Sequence, residues 1–196
     1  AWAMECVEKD VLALGASGAA SLCFGDAETL KETLHLIARR DGVGDLLADG
    51  SRIAARRVGH GTDAWAMHVK GLEMPGYEPR SLKTMALGLA VSTRGACHNR
   101  SSAYEADFSS RVDRLNVDDL RGRITADGED FSAVMDSLIW CKFLRKVFDD
   151  FYSESARIYE HVTGWPTDPE DLKRTGQRIN NLKKLFNVRE GWTRAD

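Results

Sequence analysis

Apolar residues recur at helical spacing along most of the chain. Residues 1–9, AWAMECVEK, read as the interior of a helix. Asp26 is placed to cap a second one, with Glu28 in the first turn, Leu30, Leu34 and Ile37 as the apolar stripe, Arg39 and Arg40 near the end and Gly42 beyond it; the charges suit both ends of the helix dipole. A further helix is expected over Asp45–Val58, weakened at Gly50 and stopped by Gly59. Periodicity is lost in residues 60–80. There, Met67-His68-Val69 and Leu72-Glu73-Met74 flank Lys70-Gly71 as a small hairpin before a Gly/Pro loop. Leu82, Met85, Ala86, Leu89 and Ala90 then mark a helix from about Arg80 to Thr93, ended by Gly95.

Residues 101–128 carry few periodic apolar positions and read as a long loop. A long helix is expected over Glu129–Phe151, carrying Phe131, Val134, Met135, Leu138, Phe143, Val147 and Phe148, and another to about Thr163, before the Gly164-Trp165-Pro166 turn. Asp168 caps the last helix, with Pro169 at its first position and Leu172, Ile179, Leu182 and Phe186 as its inner face. Six helices and one hairpin give an all-α, multi-helical fold. It is expected as two packed helical subdomains, 1–66 and 67–196.

The 196 residues are 43% hydrophobic and 29% charged, enough apolar content for a real core. The net charge of −3 offers no global positive field, which argues against a nucleic-acid or anionic-membrane binder. No apolar run nears the ~20 residues that cross a bilayer, and no signal-peptide pattern is present. Cys6, Cys23, Cys97 and Cys141 form no CxxC pair, so a structural zinc site is not expected. Composition alone reads them as reduced thiols of a cytoplasmic protein. The chain opens in mid-helix and closes on a charged segment, which is read as the mark of a piece of a longer chain.

Three stretches can carry chemistry: residues 70–80 (KGLEMPGYEPR), 93–100 (TRGACHNR) and 136–143 (DSLIWCKF). His98 could be a proton donor, a metal ligand or a partner of the preceding helix's last carbonyls. Asp136 either sits on an exposed helix face or is a carboxylate that needs a partner in an apolar run. On an unbroken helix, Asp136 and Cys141 would point ~140° apart, so they converge only if the helix breaks near Trp140.

The segments AMECVEK, GDLLADGSRIA, VKGLEMPGYEPR, STRGACH, DSLIWCKF and RINNLKKLFNVREGWTR together resemble the tungsten-containing aldehyde:ferredoxin oxidoreductases. The resemblance covers nearly the whole chain and implies the helical C-terminal region of that family: the end of its second domain and most of its third. It implies a parent that oxidises a small aldehyde to a carboxylic acid, using a bis-pterin tungstopterin and a [4Fe–4S] cluster, with ferredoxin as electron acceptor. Cys141 matches the fourth cluster ligand and Asp136 an aspartate that hydrogen-bonds a pterin. Trp140 and Cys141 match the adjoining backbone contacts. The family has a smaller aliphatic residue where Trp140 stands. His98 matches an active-site histidine, and Arg100 falls where a basic residue reaches a pterin or its phosphate.

The family's CxxCxxxC group and tungstopterin-holding domain have no counterpart in this sequence. An upstream domain of the same chain is therefore an expected partner, a homo-oligomer is another candidate, and the isolated chain is expected to hold no cofactor. Tungsten and molybdenum both stay open. Two alternatives accompany this reading: a tungsten aromatic acyl-CoA reductase of the same family, and, for the chain alone, a non-catalytic helical assembly module.

Overall fold

The computed structural model describes residues 1–12 and 22–193. The last residues of the charged terminal segment, 194–196, lie outside them. The described residues form ten α-helices, two short 3-10 turns and one two-stranded hairpin, an all-α fold. The chain divides into two compact units, Ala1–Met74 and Pro75–Asp196.

The first unit holds α1 (Trp2–Glu8), α2 (Ala27–Arg39), α3 (Val43–Leu47), α4 (Ser51–Val58), a 3-10 turn at Thr62–Trp65, and strands β1 (His68–Val69) and β2 (Leu72–Glu73). The helix expected over Asp45–Val58 is two helices. Gly50 has φ +84°, a left-handed conformation that glycine takes without steric cost, and the chain turns there. Glu73 explains why the hairpin belongs to this unit. Its carboxylate accepts from the Ser51 amide at 2.7 Å and from the Ser51 hydroxyl at 3.1 Å, capping α4 from the far strand. The core gathers Trp2, Met4, Cys6, Leu22, Ala54 and Ala55. The Trp2 indole donates to the Thr62 carbonyl, and the Thr62 hydroxyl donates to the Ala55 carbonyl, so these two buried donors are satisfied.

The second unit holds α5 (Lys83–Val91), α6 (His98–Ser101), α7 (Tyr104–Asp107), α8 (Leu120–Ser137), a 3-10 turn at Lys142–Lys146, α9 (Phe151–Thr163) and α10 (Pro169–Arg189). Helix α8 is its axis, and α5, α6 and α10 all pack on it. Small residues allow the close approach. A Cβ on Gly88 of α5 would strike the Ser101 hydroxyl, and one on Gly128 of α8 would strike the Ser101 carbonyl. Helix α10 meets α8 the same way, with Gly176 against the Asp130 carbonyl. The apolar core centres on Val134, Met135, Phe151, Ala156 and Leu172.

Of the loop expected over 101–128, residues 108–119 are irregular as expected, but 104–107 form α7 and 120–128 the first half of α8. Its packing is polar, which is why no apolar period marks it. Arg121, Thr125 and Ser132 are all buried on α8. The Asp107 carboxylate accepts from the Thr84 amide at 3.2 Å and the Met85 amide at 2.8 Å, at the start of α5. Arg121 closes the group, 3.0 Å from Asp107, and also donates to the Thr84 hydroxyl and the Asp113 carbonyl. Both charged side chains are almost fully buried, at 3% and 0% exposure.

The long helix expected over Glu129–Phe151 ends at Ser137. Along α10, Leu172 is buried as expected, but Leu182 and Phe186 are 67% and 60% exposed. Their periodicity is real, yet within the described residues this stretch of the helix has solvent where a neighbour would stand.

The expected outcome of Asp107→Ala is a loss of about 3–5 kcal/mol, because Arg121 loses its buried counter-charge, keeping only the exposed Asp118 at 3.6 Å, and α5 loses its cap. Urea unfolding followed by circular dichroism measures it. A loss below about 1 kcal/mol, the size of an ordinary surface pair, would contradict this account.

Candidate functional site

Helix α5 stops at Ser92, which is extended, and Gly95 turns the chain with φ +101°. The Cys97 amide donates to the Gly95 carbonyl at 2.7 Å, and Cys97 is the residue before α6. His98 therefore opens α6. Its half-buried ring packs 5.4 Å from Tyr77 and 6.0 Å from Tyr104. Tyr77 and Tyr104 stack at 4.8 Å, and Phe108 closes the cluster. Burial pushes the His98 imidazole pKa down, and the Arg145 and Arg94 guanidinium groups push it the same way. The ring is thus held neutral at pH 7, able to accept one proton and to donate another. Burial, with Tyr104 beside it, raises the Tyr77 phenol, which stays protonated.

Arg145 links this cluster to the rest of the site. Its guanidinium donates to the Tyr104 hydroxyl at 2.9 Å, pairs with the Glu105 carboxylate, and donates from Nε to the Lys142 carbonyl at 2.7 Å. The Lys142 carbonyl is one residue past Cys141.

The second half of the site begins where α8 ends. The Ile139 amide bonds the Asp136 carbonyl at 3.2 Å and the Trp140 amide bonds the Met135 carbonyl at 3.0 Å. This is a Schellman ending, whose left-handed position normally carries glycine. Here it carries Ile139 at φ +60°. A β-branched residue is strained there, and Ile139 is 93% exposed, so no packing among the described residues offsets the strain. The break delivers what convergence of Asp136 and Cys141 requires. Trp140 folds back onto Phe148 at 4.5 Å and Phe151 at 6.0 Å. Its bulk is accommodated in the α8–α9 core rather than toward the site. Cys141 is exposed, beside Phe143 at 92% exposure and Val147 at 67%.

Asp136 is not a lone carboxylate. Arg100 Nη1 lies 3.2 Å from one oxygen and Lys142 Nζ 2.8 Å from the other, with Lys142 also donating to the Ser132 carbonyl at 3.1 Å. Lys183 of α10 faces the same group. Burial and the nearby Arg100 charge press its ammonium pKa down, against the pull of Asp136. Of the five residues singled out in the sequence, the structure brings Arg100 onto Asp136, sets Trp140 and Cys141 on the turn that follows, and places His98 on the same short helix as Arg100. Lys142, Arg145, Tyr77, Tyr104 and Lys183 complete the arrangement. Tyr77 and Lys142 lie inside the quoted motifs. Lys183 lies in the quoted C-terminal segment, and Arg145 and Tyr104 lie in none.

The donor set fits one corner of a metal cluster and no more. Among the described residues no three His, Cys, Asp or Glu side chains come together as a metal site. Cys141 offers a single exposed thiol. Cys97 is buried, its sulfur 2.8 Å from the Arg94 guanidinium.

A family profile described as "Aldehyde ferredoxin oxidoreductase, domains 2 & 3" matches residues 1–196. The chain belongs to the aldehyde ferredoxin oxidoreductase family. Tungsten-containing aldehyde ferredoxin oxidoreductases are among its relatives. That of Pyrococcus abyssi is 30% identical over 97% of this chain and 32% of its own length, and that of Pyrococcus furiosus is 32% identical over 86% and 28%. The chain thus spans about a third of the length of these curated relatives. Among solved structures, the BamBC active-site complex of benzoyl coenzyme A reductase shares the fold, with a TM-score of 0.70 at 20% identity, covering 99% of this chain and 35% of that one.

Two measurements probe this geometry. Ile139→Gly should raise stability by about 1 kcal/mol, because it relieves a left-handed β-branched residue and gives up almost no burial; a lower urea midpoint would show that the turn is not left-handed. The pH dependence follows from the sign of the His98 shift. The folded-state pKa lies below the ordinary value of about 6.5, so the unfolded chain takes up the proton first. Stability is then full above pH ~6.5 and falls as the pH drops toward the folded-state pKa. NMR titration of His98 should give a midpoint below 6.5, and His98→Gln should flatten the stability profile in that window.

Proposed function

We propose that this chain acts as the C-terminal part of a tungstopterin oxidoreductase that oxidises an aldehyde to a carboxylic acid, with ferredoxin taking the electrons. The observation that carries the reading is the exposed Cys141 thiol on the turn after a cation-clamped Asp136, in a chain matched by the family over its whole length. When bound, the tungstopterin and the [4Fe–4S] cluster supply the redox chemistry: aldehyde plus water gives acid, two protons and two electrons. This chain's residues do the rest. Cys141 supplies one thiolate ligand of the cluster. Asp136 accepts from pterin N–H groups, and the backbone at Trp140–Cys141 flanks them. Arg100 offsets the charge of Asp136 and reaches the pterin or its phosphate. His98, neutral and walled by Tyr77 and Tyr104, accepts a proton from the reacting water or substrate. The apolar surface at Ile139, Phe143 and Val147 is where an upstream tungstopterin-binding domain would close the site. A cytoplasmic enzyme with a small aldehyde substrate, as a monomer or homo-oligomer, follows from the same reading.

The fold likeness to benzoyl coenzyme A reductase supports a second reading, an aromatic acyl-CoA reductase. The aldehyde relatives at 30–32% identity favour the first.

The test is expression of the full-length parent enzyme with tungsten, anaerobically. Wild type should reduce viologen with aldehydes and carry about four irons per chain beyond any mononuclear metal. Cys141→Ser should lose the cluster's electron-paramagnetic signal, and His98→Gln should lower kcat roughly 10²–10⁴-fold with the cluster intact. The 196-residue chain alone, reconstituted with iron and sulfide, should hold neither cluster nor pterin. Activity with an aromatic acyl-CoA and none with aldehydes would move the assignment to the second reading. A cluster that survives Cys141→Ser would remove the ligand role.

A further inference from the structure

The C-terminal helix α10 touches both halves of the site. Helix α5 ends without a capping residue: Ser92 is extended, with φ −55° and ψ 138°. Its terminal carbonyls therefore need donors from elsewhere. They come from α10. Lys184 Nζ donates to the Val91 carbonyl, and Asn187 Nδ2 donates to the Thr93 carbonyl at 2.9 Å. The Lys184 charge also sits at the negative end of the α5 dipole. Thr93 is the first residue of the turn that carries Arg94, Gly95, Cys97 and His98. The other end of that turn is held by packing, because Ser101 is wedged between Gly88 and Gly128. One residue before Lys184, Lys183 lies within electrostatic range of Arg100, Asp136, Glu129 and Lys142. Helix α10 is itself registered on α8, through Gly176 against the Asp130 carbonyl and Asn180 Nδ2 to the Asp130 carboxylate at 2.8 Å.

We propose that α10 fixes where the histidine turn stands relative to the Asp136–Cys141 segment, with Lys184 and Asn187 as positioning residues for His98. This rests on the reading of His98 and Asp136 as site residues. Neither Lys184 nor Asn187 touches substrate or cofactor in this account. They act through two carbonyls, and their effect reaches the imidazole through five residues of turn. Without them the Val91 and Thr93 carbonyls would turn to water, and the His98 ring would leave the Tyr77–Tyr104 stack.

The experiment uses the 196-residue chain and NMR. The His98 ring protons, assigned with His98→Gln, should be displaced by the ring currents of Tyr77 and Tyr104. Asn187→Asp keeps size and helix position but removes the donor. Lys184→Met keeps length but removes charge and donor. Each should cancel most of the displacement and speed amide exchange at Cys97 roughly tenfold, the expected cost of one such bond. Helix content should stay unchanged. Lys184→Arg, which keeps a charged donor, should restore the wild-type spectrum. Asn181→Asp, on the exposed side of the same helix, should change neither signal. The proposal is overturned if His98 keeps its displaced signals in folded Asn187→Asp and Lys184→Met, or if Asn181→Asp moves them as far. Should Asn187→Asp fail to fold, the Lys184→Met and Lys184→Arg pair decides alone. The readout is independent of the cofactor. If these shifts occur while the parent enzyme stays active with His98→Gln, the catalytic role fails and the positioning role stands.

Discussion

The second unit depends on one buried ion pair. Asp107 lies at the end of α7, and its carboxylate is sequestered from water, where a charge is tolerated only with partners. It finds three: two amides at the start of α5 and the Arg121 guanidinium of α8. Helix α5 has no side-chain cap of its own, so a residue from a later helix performs that function. The consequence is topological. Residues 92–103, which carry His98 and Arg100, run between a helix whose start is tied to Asp107 and the helix that bears Asp107. The loop is closed at its base by a contact that is expensive to break, and its tip is left to be adjusted by neighbours.

Those neighbours are mostly cations. Arg100 and Lys142 hold Asp136, Arg145 holds Tyr104 and Glu105, and Lys183 faces the same group. Arg145 matters most for continuity, since one side chain bonds the aromatic wall of His98 and the backbone beside Cys141. Its positive charge also helps keep the imidazole neutral.

Much of the all-α fold could be read in the sequence where apolar periodicity and caps agree. Met85 and Leu89 of α5, and Leu82 just before it, are buried as their spacing required, and Asp168, Pro169 and Asp171 form the capping arrangement that starts α10. The failures share a cause. The first half of α8 buries Arg121 and Thr125 with Ile124 as its one large apolar residue, so its inward face looks like a loop to any hydrophobic count. The end of α8 lies at Ile139 and not at a glycine or proline, so no local signal stops the helix before Phe151. At the site, the residue roles came from the family resemblance, and geometry alone left His98 and Asp136 open. The 140° argument did give a condition on the backbone near Trp140, and the chain meets it. Arg145 and Tyr104 fall in none of the segments that carry the resemblance, because each joins the site only by tertiary contact, and Lys183, although inside the last of those segments, is remote in sequence from Asp136.

The charge arithmetic carries a related lesson about scale. A net charge of −3 gives the whole surface no positive field, and the argument against nucleic acid rests on that sum. Yet Arg100 and Lys142 both hold a single Asp136 carboxylate with Lys183 in electrostatic range, and Arg145 is balanced by Glu105 a short way off. The local sum is positive where the chain-wide sum is negative. In the proposed reading this is the polarity the site needs, since a phosphate-bearing pterin and a thiolate-bound cluster both bring negative charge. The cations cost little in the absence of such a guest, because Asp136, the Ser132 carbonyl and solvent occupy them. A guest that displaced part of that solvation would meet donors already oriented by α6, α8 and α10, and preorganisation of that kind reduces the ordering cost of binding.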